Sequence, residues 1–124
     1  MPARVYTCDV KDNSELSKLM AYDPYLDKSL NSEQLAEIKK DPEANVIFAR
    51  QDYNIKDGIS LGLDRSKYYL YLSASEEFLE HADKKLKKLI KSIQRADKET
   101  EEKVITVVEG ERSSSEEGLG SIFG

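Results

Sequence analysis

Seven apolar residues, Phe78, Leu79, Ala82, Leu86, Leu89, Ile90 and Ile93, recur at helical spacing in a stretch otherwise crowded with charge. That recurrence makes one stripe along a helix and constrains the fold more than any other feature of the chain. Ser75 is a good N-cap, and Glu76 and Glu77 complement the positive end of the helix dipole. The pattern predicts a helix from Ser75 to about Ala96, roughly 30 Å long at 1.5 Å per residue. A one-sided helix needs an apolar floor, and strand-like segments flank it.

Arg4–Val10 is rich in β-branched and aromatic residues and reads as the first strand. Two short helices follow. One carries Leu16, Leu19 and Met20 and stops before Asp23-Pro24; the other opens at Asn31-Ser32-Glu33, carries Leu35, Ala36 and Ile38, and closes before Asp41-Pro42. Asn45–Tyr53 reads as a strand, with Val46, Ile47, Phe48 and Ala49 as its buried half. Asp57-Gly58 suits a hairpin turn. Ile59, Leu61 and Leu63 alternate with small residues, and Tyr68–Leu72 alternates Tyr and Leu, so both read as strands. Val104–Val108 is β-branched at every position and reads as a final strand, completing the sheet or pairing across a homodimer. The expectation is an α+β domain over residues 1–109, with a mostly antiparallel sheet of about five strands and one long amphipathic helix on a face. A flexible acidic and Ser-containing tail over 110–124 follows.

Composition narrows the function classes. Charged residues make up 35% of the chain but balance to a net charge of −5. That argues against wholesale nucleic-acid affinity while permitting a local basic patch. The single cysteine, Cys8, excludes an internal disulfide and fits a reducing cytoplasm; it sits in an apolar run and reads as a core residue. No run approaches the ~18 apolar residues that a spanning helix needs, so no membrane partner is expected. His81 is the only histidine; it lies beside the helical stripe and offers no metal ligand set. Phosphate-loop and nucleophile-elbow patterns are missing, so neither a cofactor nor catalytic residues are assigned.

Three clusters remain as candidate sites. Lys84, Lys85, Lys87, Lys88, Lys91 and Arg95, followed by Lys98, make the C-terminal two-thirds of the long helix strongly basic. They read as a solvated outer face or as a footprint for RNA or a ribosomal surface. Tyr22, Tyr25, Tyr69 and Tyr71 fall off the expected core face. Together with Asp52, Asp57 and Asp64 at the hairpin ends, Tyr69 and Tyr71 mark where a small-ligand site would lie in such a domain.

The third cluster is the C-terminal end. Gly110-Glu111-Arg112-Ser113-Ser114-Ser115 is a polar leader, and Glu116-Glu117-Gly118-Leu119-Gly120-Ser121-Ile122-Phe123-Gly124 follows it. Leu119, Ile122 and Phe123 stand at i, i+3 and i+4, one face of a helical turn. A turn so short and glycine-rich gains stability in a partner's groove. This end resembles the C-terminal tail of archaeal ribosomal stalk proteins: acidic residues, then Gly-Leu-Gly, a small residue, an aliphatic residue, Phe and Gly. The resemblance implies an archaeal source and docking on translational GTPases or on the ribosome-recycling ATPase. Leu119, Ile122 and Phe123 would be the anchors, and Glu116 and Glu117 the acidic approach. It covers these nine residues alone; 1–110 do not read as the stalk's helical dimerisation domain. The same residues partly resemble sliding-clamp-binding peptides, in the frame Glu116, Leu119, Ile122 and Phe123, with Glu for the usual Gln and Ile for the first aromatic. The implied protein is a non-enzymatic adaptor of the translation machinery. A clamp-associated replication or repair protein and a small-ligand-binding domain are the alternatives.

Overall fold

The computed structural model describes residues 1–123, with side chains described for 1–112. Four strands form one antiparallel sheet: β1 (Ala3–Asp9), β2 (Asp52–Asp57), β3 (Lys67–Ser73) and β4 (Gln94–Arg95), in spatial order β2-β3-β1-β4. The central ladder pairs β1 with β3 from Ala3↔Ser73 to Asp9↔Lys67. Its side chains alternate between two cores. Tyr6, Cys8, Leu70 and Leu72 point to one face, and Val5, Tyr69 and Tyr71 to the other.

The first face is covered by α1 (Asn13–Ala21) and α4 (Glu76–Leu89), through Leu16, Met20, Leu79, Ala82 and Leu86. Helix α2 (Ser32–Lys40) has the capping box that its sequence promises, Asn31 with Gln34, but buries no residue fully. The second face is covered by α5 (Lys98–Phe123) through Val104 and Val108, joined by Leu61 of the single-turn helix α3 (Gly58–Leu61). The result is an α+β fold with both faces of the sheet occupied.

Several expectations are corrected. The sheet has four strands, not about five: neither Ile59–Leu63 nor the helical Val104–Val108 is a strand, and the short β4 is gained. Asp97 caps α5 by accepting from the Thr100 amide (2.8 Å), and Val104 and Val108, four residues apart, seal Tyr69 and Tyr71. Burial against an open sheet face outweighs the β-preference of the run.

Ile59–Leu63 is not a strand. Asp57 caps α3 through the Ser60 amide (2.6 Å), and Gly62, at φ 67°, closes it, with Leu63 N–H donating to Gly58 O and Gly62 N–H to Ile59 O. That is a complete Schellman ending. A Cβ on Gly58 would stand 1.7 Å from the Asp64 carbonyl oxygen, so only glycine fits there. Segment 46–50 is an irregular stretch with a 3-10 turn at Phe48–Arg50, and the strand begins only at Asp52.

The amphipathic helix stops at Leu89 rather than at Ala96, and neither Gly nor Pro stops it. Ser92 is held at the end of β1 instead: its hydroxyl accepts from the Asp9 amide (2.9 Å) and donates to the Asp12 carboxylate. Ile90 turns extended, and the chain runs on into β4. Ile90 and Ile93 are still buried, but Leu89 is 52% exposed. Leu86→Ala should therefore cost about 2–5 kcal/mol, whereas Leu89→Ser should stay within about 0.5 kcal/mol. Urea denaturation of the two variants checks the pair, and similar losses would refute the assignment of Leu89 to the surface.

Candidate functional site

Helix α5 carries the chain toward its C-terminal cluster, and the sheet edge holds that helix in place. Glu111 pairs with Lys56 of β2 (2.8 Å), and the Arg112 guanidinium makes two 2.6 Å hydrogen bonds to Asp52. Arg112 also lies 5.2 Å from the centre of the Tyr71 ring, whose hydroxyl donates to Glu109 (3.3 Å). Ordered contacts thus run two residues past Gly110. Bidentate geometry fixes direction, although a half-exposed pair contributes under about 1 kcal/mol. The anchors Leu119, Ile122 and Phe123, with Glu116 and Glu117, lie outside the residues whose side chains are described.

The six basic residues do not form one stripe. Lys87 pairs with Asp83 (2.9 Å), Lys88 with Glu43 (2.7 Å), and Arg95 is bound by both Glu101 oxygens (3.1 and 3.0 Å). Lys85 turns inward. Its ammonium donates to Val46 O (2.9 Å) and more weakly to Ala44 O (3.4 Å), and burial pulls its pKa below the ordinary lysine value. Among the described residues, of these six only Lys84 and Lys91 are exposed without an acidic partner.

The tyrosine cluster separates as well. Tyr69 and Tyr71 are buried beneath α5, against the expectation that they face outward. Tyr22 is exposed, and Tyr25 lies under the Arg50 guanidinium, 4.9 Å from its ring centre. The three hairpin acids do not converge. Asp52 and Asp57 stand at opposite ends of β2, about 17 Å apart at strand rise. Their bonds differ too, since Asp52 holds Arg112, Asp57 caps α3, and Asp64 accepts from the Ser66 amide. The expected small-ligand surface therefore does not exist as a surface. His81 lines a shallow concavity of about 300 Å³ with Asn45, Val46 and Phe78. Among the described residues no group of three or more His, Cys, Asp or Glu could hold a metal ion, and no helix is long and apolar enough to cross a membrane.

Two polar features under α4 escaped sequence reasoning. Tyr6, fully buried, donates its hydroxyl to Asp83 (2.8 Å), while Arg4 reaches Glu80 (2.7 Å). The other is Lys85. Its position was the available signal, since it is adjacent to Leu86 and three residues from Ala82, inside the apolar stripe.

No protein-family model, curated protein or solved structure matches this chain. What the protein does must be read from its own residues.

Burial, with the hydrogen bond to Asp83, pushes the Tyr6 phenol up to about 12, from an ordinary value near 10. A raised folded-state pKa contributes stability that is complete below the unfolded value and lost as pH rises through the folded one. The Tyr6 contribution should hold below about pH 10 and fade between there and about 12. Absorbance titration of phenolate should show one tyrosine ionising last, together with alkaline unfolding, and Tyr6→Phe should remove that step. Loss of a mid-range step instead would contradict the burial argument.

Proposed function

We propose that this protein is a non-enzymatic cytoplasmic adaptor of the translation machinery, archaeal in source, that works by docking its C-terminal cluster on translational GTPases or the ribosome-recycling ATPase. One observation carries the reading: Leu119, Ile122 and Phe123 fall on one helical face behind a polar leader and an acidic pair, Glu116-Glu117. The attachment of α5 supports it. With Glu111 and Arg112 tied to β2, the cluster is presented from a fixed point on the sheet edge, seven residues past Arg112.

The energetics favour exchangeable binding. Three apolar anchors gain about 1.5–3 kcal/mol each when fully buried, and ordering the segment and losing translational freedom offset much of that. Weak, readily reversed binding follows, which suits a protein that competes with the ribosomal stalk for shared clients. An accompanying contact with RNA or a ribosomal surface would draw first on Lys84 and Lys91, since Lys87, Lys88 and Arg95 would have to leave carboxylate partners and Lys85 its carbonyls. The salt dependence of such a contact would therefore be shallow, reflecting about two phosphates rather than six.

Fluorescence anisotropy with purified archaeal elongation factor, recycling ATPase and sliding clamp decides among the readings. Binding to the first two should weaken at least tenfold in Phe123→Ser, the loss expected when a buried aromatic anchor is removed. Equal affinity of the two forms would overturn the proposal. Binding to the clamp alone would assign the cluster to replication or repair.

A further inference from the structure

An apolar concavity lies on the α4 side of the sheet, away from α5. It holds about 290 Å³ between α1, α2 and α4, and Leu19, Pro24, Ile38, Ala44 and Val46 form its walls. Tyr22 stands at its rim, with its hydroxyl committed to Asp27 (2.6 Å). Lys85 is the one charged residue in the lining.

The ammonium of Lys85 is unusual in this chain. Its neighbours Lys87 and Lys88 each meet a carboxylate, but Lys85 is served by two main-chain carbonyls. An ammonium has three protons, so one remains beyond those two bonds. It also lies 6.0 Å from the centre of the Phe48 ring, and Asp41 and Glu43 act on it through space, but neither carboxylate hydrogen-bonds to it and both are engaged elsewhere. Asp41 accepts from the Glu43 and Ala44 amides, and Glu43 pairs with Lys88. A half-buried cation with a spare donor, at the wall of an apolar cavity, has no carboxylate in direct contact among the described residues, and a bound carboxylate would supply one.

We propose that this cavity is a binding site for a small apolar monocarboxylate, with Lys85 as its counter-ion and the Leu19–Ile38–Val46 walls around its hydrocarbon. A single cation with one spare proton matches a monoanion; a phosphate dianion would ask for more donors than the lining offers. The volume sits at the low end for ligand pockets, about 300–1,000 Å³, which selects a short chain or a single ring. Binding would leave the two carbonyl bonds in place and add a charge-assisted pair through the third proton, in partly desolvated surroundings. The site is independent of the docking cluster, so either can fail without the other.

Methyl NMR of the full chain, titrated with hexanoate and separately with its uncharged isostere hexanamide, tests the site. Hexanoate should shift the Leu19, Ile38 and Val46 methyl resonances saturably, and hexanamide should bind at least about tenfold more weakly, the usual worth of a hydrogen bond to a charged group. Lys85→Met, checked for folding by circular dichroism, should lose the same factor. Absence of a saturable shift, equal affinity for the two probes, or unchanged hexanoate binding in a folded Lys85→Met would each overturn the assignment. If that variant does not fold, the comparison of the two probes on the unmodified protein decides alone.

Discussion

The antiparallel pairing of β1 with β3 is the interaction on which the rest of the structure depends. At the centre of that ladder both faces are apolar: Tyr6 and Leu70 oppose each other on one side, Val5 and Tyr71 on the other. A ladder of that composition cannot leave either face in water, because each large side chain gains about 1.5–3 kcal/mol on burial. Two covering layers are obligatory. Helices α1 and α4 supply one, and α5 supplies the other.

That requirement explains how the edges are finished. Strand β4 is only two residues long and pairs only Tyr6 and Thr7 of β1. Three other main-chain groups of β1 are met outside that pairing: the Val5 carbonyl accepts from the Ala96 amide (2.9 Å), the Val5 amide donates to Glu101 (3.0 Å), and the Asp9 amide donates to Ser92. Leaving such groups buried and unmet would cost about 1–3 kcal/mol each. Glu101 also holds Arg95 of β4, so one carboxylate fastens the first turn of α5 to two strands at once. Burial alone would raise its pKa, but Arg95 and the Val5 amide outweigh that and hold it below the ordinary glutamate range.

Where a residue's neighbours in sequence decide its conformation, the chain was legible. β1, α1, α2, β3 and the start of α4 follow from periodicity and caps: Asn31 with Gln34, and Ser75 with the Phe78 amide. Where neighbours in space decide, it was not. Alternation at Ile59–Leu63 masked a four-residue helix whose real signals were its flanks, Asp57 as cap and Gly62 as terminator. The β-branched run 104–108 was misleading for a similar reason. Yet Tyr68–Leu72, apolar at consecutive positions, already implied a strand buried on both sides, and hence a second layer that only the last segment could provide. The end of α4 had no local signal, since the bond between Ser92 and Asp12 joins residues 80 apart. The candidate site was less legible than the fold. A row of lysines on a helix shows charge but not direction, and one of the six faces the core side while three find acids on other turns or elements.

Covering both faces of the sheet also constrains where activity can reside. The sheet offers no open floor, and the aromatic residues that would suit a ligand, Tyr69 and Tyr71, are spent sealing α5. Both proposed sites accordingly lie off the sheet, one where layers meet imperfectly and one past the last described side chains of α5. The first is the junction of α1, α2 and the irregular 41–48 segment, where α2 buries nothing fully and Lys85 fills part of the gap with charge instead of hydrocarbon. The second is the one proposed for the cluster beyond Arg112, which begins after the Glu111 and Arg112 ties to β2. The helix that closes the second core through Val104 and Val108 is thus also fastened to the sheet edge by its last described side chains, so one element both completes the fold and ties it to β2.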